Sequence, residues 1–299
     1  MRARLPFLVS AVFHYLGPAF AVLLFVHVDV LGVAWLRIAS AALIFALWRR
    51  PWRLVKHPTV IAWGAVLAVM NCCFYMAIDR LPLATVAAIE FLPVIVLAAI
   101  GARTVRNVAA IALAVPGVYV LTGVHLEGEP LGVALALANA GLFAAYIVLA
   151  HRVASDPEIK GIDGLAAAML VALVAVTPTA GWAAVPALTD PVGLAAGVGV
   201  GVCSSVIPYV ADQVAMARLT RAAYALMVSL LPATATVIGL VVLAQVPSPS
   251  DTLGIALVIA GVALHREPTP APAARSSPPP RPSPAATPTP AASGSRGRP

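Results

Sequence analysis

The basic residues of this chain occur in every second gap between long apolar runs and in the two tails. Of the nineteen Lys and Arg residues, only Arg37 and Arg80 depart from this pattern. The other gaps carry acidic residues, namely Asp29, Asp79, Glu127, Glu129, Asp190 and Asp251. This asymmetry is the positive-inside signature of a polytopic membrane protein, in which cationic loops stay on the cytoplasmic side. It predicts an even number of spans with both termini in the cytoplasm.

The apolar runs are long enough to cross a bilayer as helices, since a hydrocarbon core of ~30 Å needs ~20 residues. We predict an all-α integral membrane protein with ten transmembrane helices, near residues 5–26, 30–48, 59–78, 81–101, 107–124, 130–150, 164–185, 192–216, 222–244 and 250–265. The last run is the weakest, and a re-entrant ending is its alternative. With 61% hydrophobic and 10% charged residues, the composition argues against a water-soluble domain.

The formal charge of +7 lies at the predicted cytoplasmic helix ends and in the tails. Anionic lipid headgroups of the bilayer are the natural partner for cations in this position, so no nucleic-acid binding is expected. Residues 267–299 are rich in Pro, Ala, Ser and Thr, and we expect a disordered cytoplasmic tail there. The tail is either a spacer or, through its Pro-x-x-Pro patterns, a docking segment. A monomer and a homodimer are both compatible with these features.

The two halves of the chain share a pattern. The motif Ile-Ala-Leu-x-x-x-Gly-Val at residues 111–118 recurs at 255–262, in the fifth and the tenth predicted span. Each half holds five spans, an odd number, so the second copy must enter the membrane from the opposite side. We therefore predict two inverted five-helix repeats, at 1–124 and 130–266. In transporters this arrangement places the substrate site near the bilayer midplane, between the halves.

Three motifs, in their order along the chain, resemble a known family. They are Leu36-Arg37-Ile38, Ile89-Glu90-Phe91 and Ser204-Ser205-x-x-Pro208-Tyr209-x-x-Asp212. Together with the five-plus-five layout they resemble the drug/metabolite transporter superfamily, and within it EamA-type transporters of the threonine/homoserine exporter group. The resemblance implies a ten-helix carrier of the bacterial inner membrane. It further implies export of small metabolites such as amino acids, coupled to protons and without ATP.

Two charged residues lie deep inside predicted spans, although an ionised side chain at a helix centre costs ~2.5–3.5 kcal/mol. Arg37 and Glu90 lie at matching depth, ~10–14 Å from the outer ends of their spans at 1.5 Å per residue. One interpretation is a structural brace, in which the two charges pair. The other is a gate or proton-responsive pair that lines the pathway. Glu90 is the better candidate proton carrier, because it lies deeper than Asp212.

Further polar residues inside the spans complete a candidate substrate-binding set. This set consists of His14, Arg37, Asn71, Tyr75, Glu90, Asn139, Tyr146, Tyr209 and Asp212. Tyr15, Ser204, Ser205 and Gln213 belong to the same inward-facing polar group. Either these side chains line a small polar cavity, or they only hydrogen-bond neighbouring helices. His14 is a second candidate proton carrier because its ordinary pKa lies near neutral. For Asp212, the alternative to a place in the cavity is that its side chain reaches the membrane interface.

No motif for catalysis or for a cofactor is present. The chain contains neither Gly-x-x-x-x-Gly-Lys-Ser/Thr nor His-Glu-x-x-His, and its three cysteines match no zinc spacing or disulfide framework. We therefore expect that the protein binds no metal or cofactor and has no enzymatic activity. The predicted function is secondary-active export of small polar metabolites, with amino acids the leading class and protons the coupling partner. The alternatives are a multidrug or sugar-type carrier, a membrane-embedded lipid-modifying enzyme and a scaffold that acts through its tail.

Overall fold

A computed structural model of the chain describes residues 5–93, 96, 104–126, 128–159, 161–211 and 231–264. These residues are helical or lie in turns and short irregular connections, and no strand occurs among them. The helices are α1 (Leu5–Leu24), α2 (Val30–Arg49), α3 (Pro58–Ile78), α4 (Leu83–Glu90), α5 (Val105–Leu126), α6 (Pro130–Ala154), α7 (Gly161–Ala180), α8 (Pro191–Ala211), α9 (Leu231–Leu243) and α10 (Pro249–Leu264). A 3-10 turn, Trp182–Ala184, and a short helix, Val185–Thr189, connect α7 to α8. The predicted all-α class is confirmed for the described residues, and the tail 267–299 lies outside them.

Five helices are long and apolar enough to cross a membrane, namely α2, α3, α6, α7 and α8. Shorter apolar segments form most of α1, α5, α9 and α10. Among the predicted spans whose two ends the structure describes, the seventh differs most from its helix, because α7 ends at Ala180 rather than near residue 185. The ends of the fourth and eighth predicted spans and the start of the ninth lie outside the described residues. There the Gly181 N–H still bonds to the Thr177 carbonyl, and the chain then tightens into the 3-10 turn.

Helix starts follow local sequence signals. Asp29 precedes α2, and its carboxylate accepts a hydrogen bond from the Leu31 N–H at 2.8 Å. Asp190 precedes α8 in the same way and accepts from the Gly193 N–H at 2.8 Å. Such side chains satisfy N–H groups that have no partner in the first turn of a helix. The acidic gaps of the sequence thus also mark where these two spans begin.

Close helix crossings occur at small residues. Gly201 of α8 faces the Ser40 side chain and the Arg37 carbonyl of α2, and Gly17 of α1 faces the backbone of Ser204. In a bilayer, where lipid tails are as apolar as leucine, helices associate through such close backbone packing. These two contacts bring α1 and α2 against the middle of α8, next to the residues described in the following subsection.

Gly201→Ala is expected to lower the thermal stability of the protein. The added Cβ would meet the Ser40 hydroxyl and lie 2.8 Å from the Arg37 carbonyl oxygen. Overpacking of this kind typically costs about 1–3 kcal/mol, whereas alanine at an unobstructed helical glycine gains up to about 1 kcal/mol. Gly199→Ala is the matched control, because nothing lies within 4 Å of its added Cβ in the same helix. Thermal unfolding in detergent measures both, and equal midpoints would contradict the close crossing.

Candidate functional site

Arg37 lies in α2 and directs its guanidinium toward α8 and α3. Its Nε donates a hydrogen bond to the Ser205 Oγ at 3.1 Å, and its Nη2 donates to the Ser204 carbonyl oxygen at 3.2 Å. The guanidinium carbon lies 5.4 Å from the centroid of the Tyr75 ring, which favours a cation on its face. The structure thus brings together Arg37, Tyr75 and the two serines, all of which the sequence placed in the inward-facing polar group.

The Ser204 carbonyl can bind Arg37 because of the residue four positions later. In an α-helix this carbonyl would accept the N–H of residue 208, but Pro208 has none. The helix widens here into a π-helical turn, Val202–Val206, in which the Ile207 N–H donates to the Val202 carbonyl. Turns of this type are rare and frequently lie at functional sites. Pro208 therefore frees an acceptor inside the bundle, and Arg37 satisfies it.

For the carrier that the sequence resemblance implies, Pro208→Ala is expected to reduce solute uptake while leaving thermal stability unchanged or higher. The new N–H would compete with Arg37 for the Ser204 carbonyl, and a hydrogen bond to a charged group contributes about 1.5–3 kcal/mol. The helix itself would lose its poorest helix former. Uptake into proteoliposomes and thermal unfolding measure the two effects. Pro178→Ala, at an exposed proline inside α7, is the control. Wild-type uptake by the Pro208 variant would show that the free carbonyl is not needed.

Glu90 is the last residue of α4 and is 8% exposed. Asn139 of α6 is fully buried, and its Nδ2 donates a hydrogen bond to the Glu90 Oε1 at 3.1 Å. Among the described residues, Arg37 and Glu90 form no ion pair with each other, although they interact electrostatically over a longer distance. The direct brace considered from their matching depth is therefore not observed. Each charge instead has a neutral partner nearer to it, and that partner lies in the second half of the chain.

Helix α1 places one aromatic residue close enough to each of the two charges, Arg37 and Glu90, to interact with it electrostatically. Tyr15 is 1% exposed and interacts with Glu90, while the half-buried His14 interacts with Arg37. Their rings lie edge to face, with centroids 5.2 Å apart. The predicted residue His14 thus belongs to the Arg37 side of the site.

Several buried polar atoms near these charges have no hydrogen-bond partner among the described residues. They are the hydroxyls of Tyr15, Tyr75 and Ser204 and the Oδ1 of Asn139. A buried polar group without a partner costs about 1–3 kcal/mol, so proteins keep such groups mainly where they serve a purpose. The site therefore offers one cation, one carboxylate and several uncommitted polar atoms, which together can bind a small polar solute.

Three predicted residues have other surroundings. Asn71 donates its amide to the Leu67 carbonyl of its own helix at 2.8 Å. Tyr146 packs against the ring of Trp63, at a centroid distance of 5.5 Å, and Tyr209 packs against the same apolar cluster of α2, α3 and α7. Asn139 and Tyr146 share a helix face, but the two ends of that face meet different neighbours. Asp212 lies outside the described residues.

One further contact between α4 and the second half of the chain was not predicted from the sequence. The Gln245 side chain, between α9 and α10, accepts a hydrogen bond from the Leu83 N–H at the start of α4, at 3.0 Å. The preceding residue, Pro82, has no side-chain acceptor of its own. A helix start without a local cap is the signal that a distant residue must supply one.

Comparisons with known proteins agree with this picture. Residues 130–266 match the EamA-like transporter family. The threonine/homoserine exporter RhtA of Escherichia coli strain K12 is 28% identical over 251 residues, covering 82% of this chain and 84% of the relative. Its counterpart in Salmonella typhimurium strain LT2 is 29% identical over 264 residues, covering 84% and 88%. These relatives are exporters rather than enzymes.

One solved crystal structure has the same fold, with a TM-score of 0.56, 18% identity, and coverage of 88% of this chain and 96% of the other. At this identity the similarity concerns the fold alone. The apolar helices and the bacterial exporters together indicate a multi-pass protein of the bacterial inner membrane. The chain thus resembles EamA-type membrane transporters of the threonine/homoserine exporter group, and its residues 130–266 carry the match to the EamA-like family.

Proposed function

We propose that this protein exports small amino acids across the inner membrane in exchange for protons. The observation that carries the proposal is the pair of opposite charges inside the helix bundle, Arg37 and Glu90, each bound to a neutral group of the second half. Intramembrane charges are costly and typically mark substrate or ion pathways. The relatives that are threonine/homoserine exporters support amino acids as the substrate class.

The pairing of helices supports ten spans arranged as two inverted repeats, 1–124 and 130–266. Equivalent helices of the two halves pack on each other, as α5 does on α10, α2 on α7 and α4 on α9. Other contacts follow the same symmetry. α3 packs on α6 and α7, and its equivalent, α8, packs on α1 and α2, which are the equivalents of α6 and α7. Because each half holds five spans, the halves run in opposite directions. Such repeats can rock about a central site and expose it to one side at a time.

The links made by Arg37 and Glu90 both join the first half to the second, so rocking must strain or remake them. A Glu90 carboxylate accepts the Asn139 N–H, whereas a protonated Glu90 also offers a donor of its own. A change of protonation at Glu90 thus alters a contact between the halves.

We also infer that both termini lie in the cytoplasm. The basic end of α2 and the start of α7 lie together, because Arg49 pairs with Asp163 at 2.6 Å. The adjacent connection between α2 and α3 pairs with that between α6 and α7, through His57 and Asp156 at 3.6 Å. Both contacts place cationic segments of the two halves on one face, as the positive-inside rule requires. The tail 267–299 would then be a disordered cytoplasmic extension.

The test is transport by the full chain in proteoliposomes under an imposed pH gradient. L-Threonine and L-homoserine are expected to accumulate against their own gradient, and a protonophore should abolish that accumulation. A sugar and a lipophilic cationic drug serve as comparison solutes for the other carrier classes. Movement of these solutes without movement of amino acids would contradict the substrate class, and indifference to the pH gradient would contradict proton coupling.

A further inference from the structure

We propose that Arg37 and Glu90 are the two poles of one site for a zwitterionic α-amino acid. Arg37 binds the substrate carboxylate, while Glu90 and the Oδ1 of Asn139 bind the substrate ammonium. The inference rests on the proposed amino-acid transport and goes beyond it, because it assigns each charged group of the substrate to a residue. It also excludes solutes with a single net charge from tight binding.

The first pole is rich in hydrogen-bond donors. The guanidinium has five N–H groups, and its bonds to Ser205 and Ser204 use Nε and one N–H of Nη2. No described residue accepts a hydrogen bond from Nη1. The buried hydroxyls of Tyr75 and Ser204 have no partner among the described residues either. Uncommitted N–H groups on a planar guanidinium match a carboxylate in a bidentate manner.

Three helices fix the orientation of this pole. α2 carries the arginine, α8 holds Nε and Nη2 through two hydrogen bonds, and the Tyr75 ring of α3 lies against the guanidinium. The π-helical turn and Pro208 make the Ser204 carbonyl available for this purpose. A cation held from three directions is preorganised for a ligand, since little rotamer freedom remains to be lost on binding.

The second pole is rich in acceptors. The Glu90 Oε1 receives the Asn139 N–H, and no cationic side chain of the described residues forms an ion pair with this carboxylate. The Asn139 Oδ1 is buried and accepts no hydrogen bond from the described residues. An ammonium group has three N–H donors and no acceptor, so the Glu90 carboxylate and the unbonded amide oxygen of Asn139 can both accept from it.

The two poles cancel in net charge. A zwitterion brings an anion to Arg37 and a cation to Glu90, so that both of these charges are compensated. A cationic drug would leave Arg37 without a counterion, and a phosphorylated sugar would leave Glu90 without one. An uncompensated buried charge is strongly unfavourable. The charge pattern therefore favours amino acids over the substrates of the other carrier classes.

The test combines masked ligands with variants, using the purified full chain in detergent at neutral pH. The ligands are L-threonine, L-threonine methyl ester, which has no carboxylate, and N-acetyl-L-threonine, which has no ammonium. In the wild type, each mask is expected to weaken binding by at least about tenfold, as expected for loss of a charged partner. In Arg37→Gln, L-threonine methyl ester should bind less than about twofold more weakly than L-threonine, whereas N-acetyl-L-threonine should still bind much more weakly. In Glu90→Gln the pattern should reverse.

Two further variants keep the test decisive. Arg37→Lys retains the positive charge but not the planar, bidentate geometry of the guanidinium. This variant should still bind the methyl ester more weakly than L-threonine, even if Arg37→Gln binds nothing. Arg49→Gln, which removes a cation paired with Asp163 at the membrane boundary, should leave both mask effects unchanged. Mask effects that are the same in wild type, Arg37 and Glu90 variants would overturn the two-pole site. Failure of the wild type to bind any amino acid would instead overturn the proposed function, and the two-pole site with it.

Discussion

Arg37→Gln is expected to lower the catalytic efficiency of L-threonine uptake by roughly 30- to 150-fold. This is the loss of about 2–3 kcal/mol, as for a hydrogen-bonded charged group. Glutamine can keep at most part of the contacts to Ser204 and Ser205, and it offers no charge to a substrate. Because the interaction holds the substrate before it moves, the effect should appear mainly as a higher KM. Initial rates of counterflow in proteoliposomes measure it.

Two controls separate this effect from a folding defect. Arg37→Lys preserves the positive charge and should recover part of the activity, since lysine binds a carboxylate as a point charge but without the bidentate geometry. Arg49→Gln removes a cation outside the site and should transport as the wild type does. An Arg37→Gln protein that folds and keeps wild-type kinetics would show that this arginine only braces α2 against α8.

Glu90→Gln is expected to separate substrate movement from the proton gradient. For exchange of one proton per substrate, a gradient of one pH unit supports about tenfold accumulation, because each unit corresponds to about 1.4 kcal/mol. The variant should show no accumulation above equilibrium, whereas counterflow at high substrate concentration persists. The reason is that glutamine keeps the size of Glu90 and an acceptor for Asn139 but cannot release a proton.

The matched control is Glu129→Gln, at an exposed carboxylate directly before α6, which should accumulate substrate normally. If the Glu90 variant accumulates threonine to the wild-type ratio, Glu90 has no coupling role. His14→Gln would then be the next variant, since His14 is the second candidate proton carrier predicted from the sequence. Loss of both accumulation and counterflow, in a stable Glu90 variant, would point to substrate binding rather than coupling.

Sequence patterns could predict the long-range features of this protein because they depend on regular spacing. Apolar runs of about twenty residues indicate helices that match the bilayer. The same spacing placed Arg37 and Glu90 deep within their spans, and the structure finds Glu90 buried and Arg37 half-buried. The order of the motifs indicated the EamA-type family, which the comparisons support.

The partners of these residues could not be predicted in the same way. Helical spacing determines which residues share a face, but not how that face is rotated toward helices that are distant in sequence. Asn71 and Asn139 look equivalent as polar residues inside spans. Yet the amide of Asn71 bonds to its own helix, and that of Asn139 bonds to Glu90.

The sequence by itself determined the all-helical class and the helices that are long and apolar enough to cross a membrane, because these follow from hydrophobicity and from the rise of a helix. Only the tertiary structure decided that Arg37 binds Ser204 and Ser205 rather than Glu90, and that Tyr146 belongs to an apolar cluster. Those outcomes depend on helix rotation and on close crossings such as that at Gly201. Contacts between residues more than a hundred positions apart set both, and no local pattern encodes them.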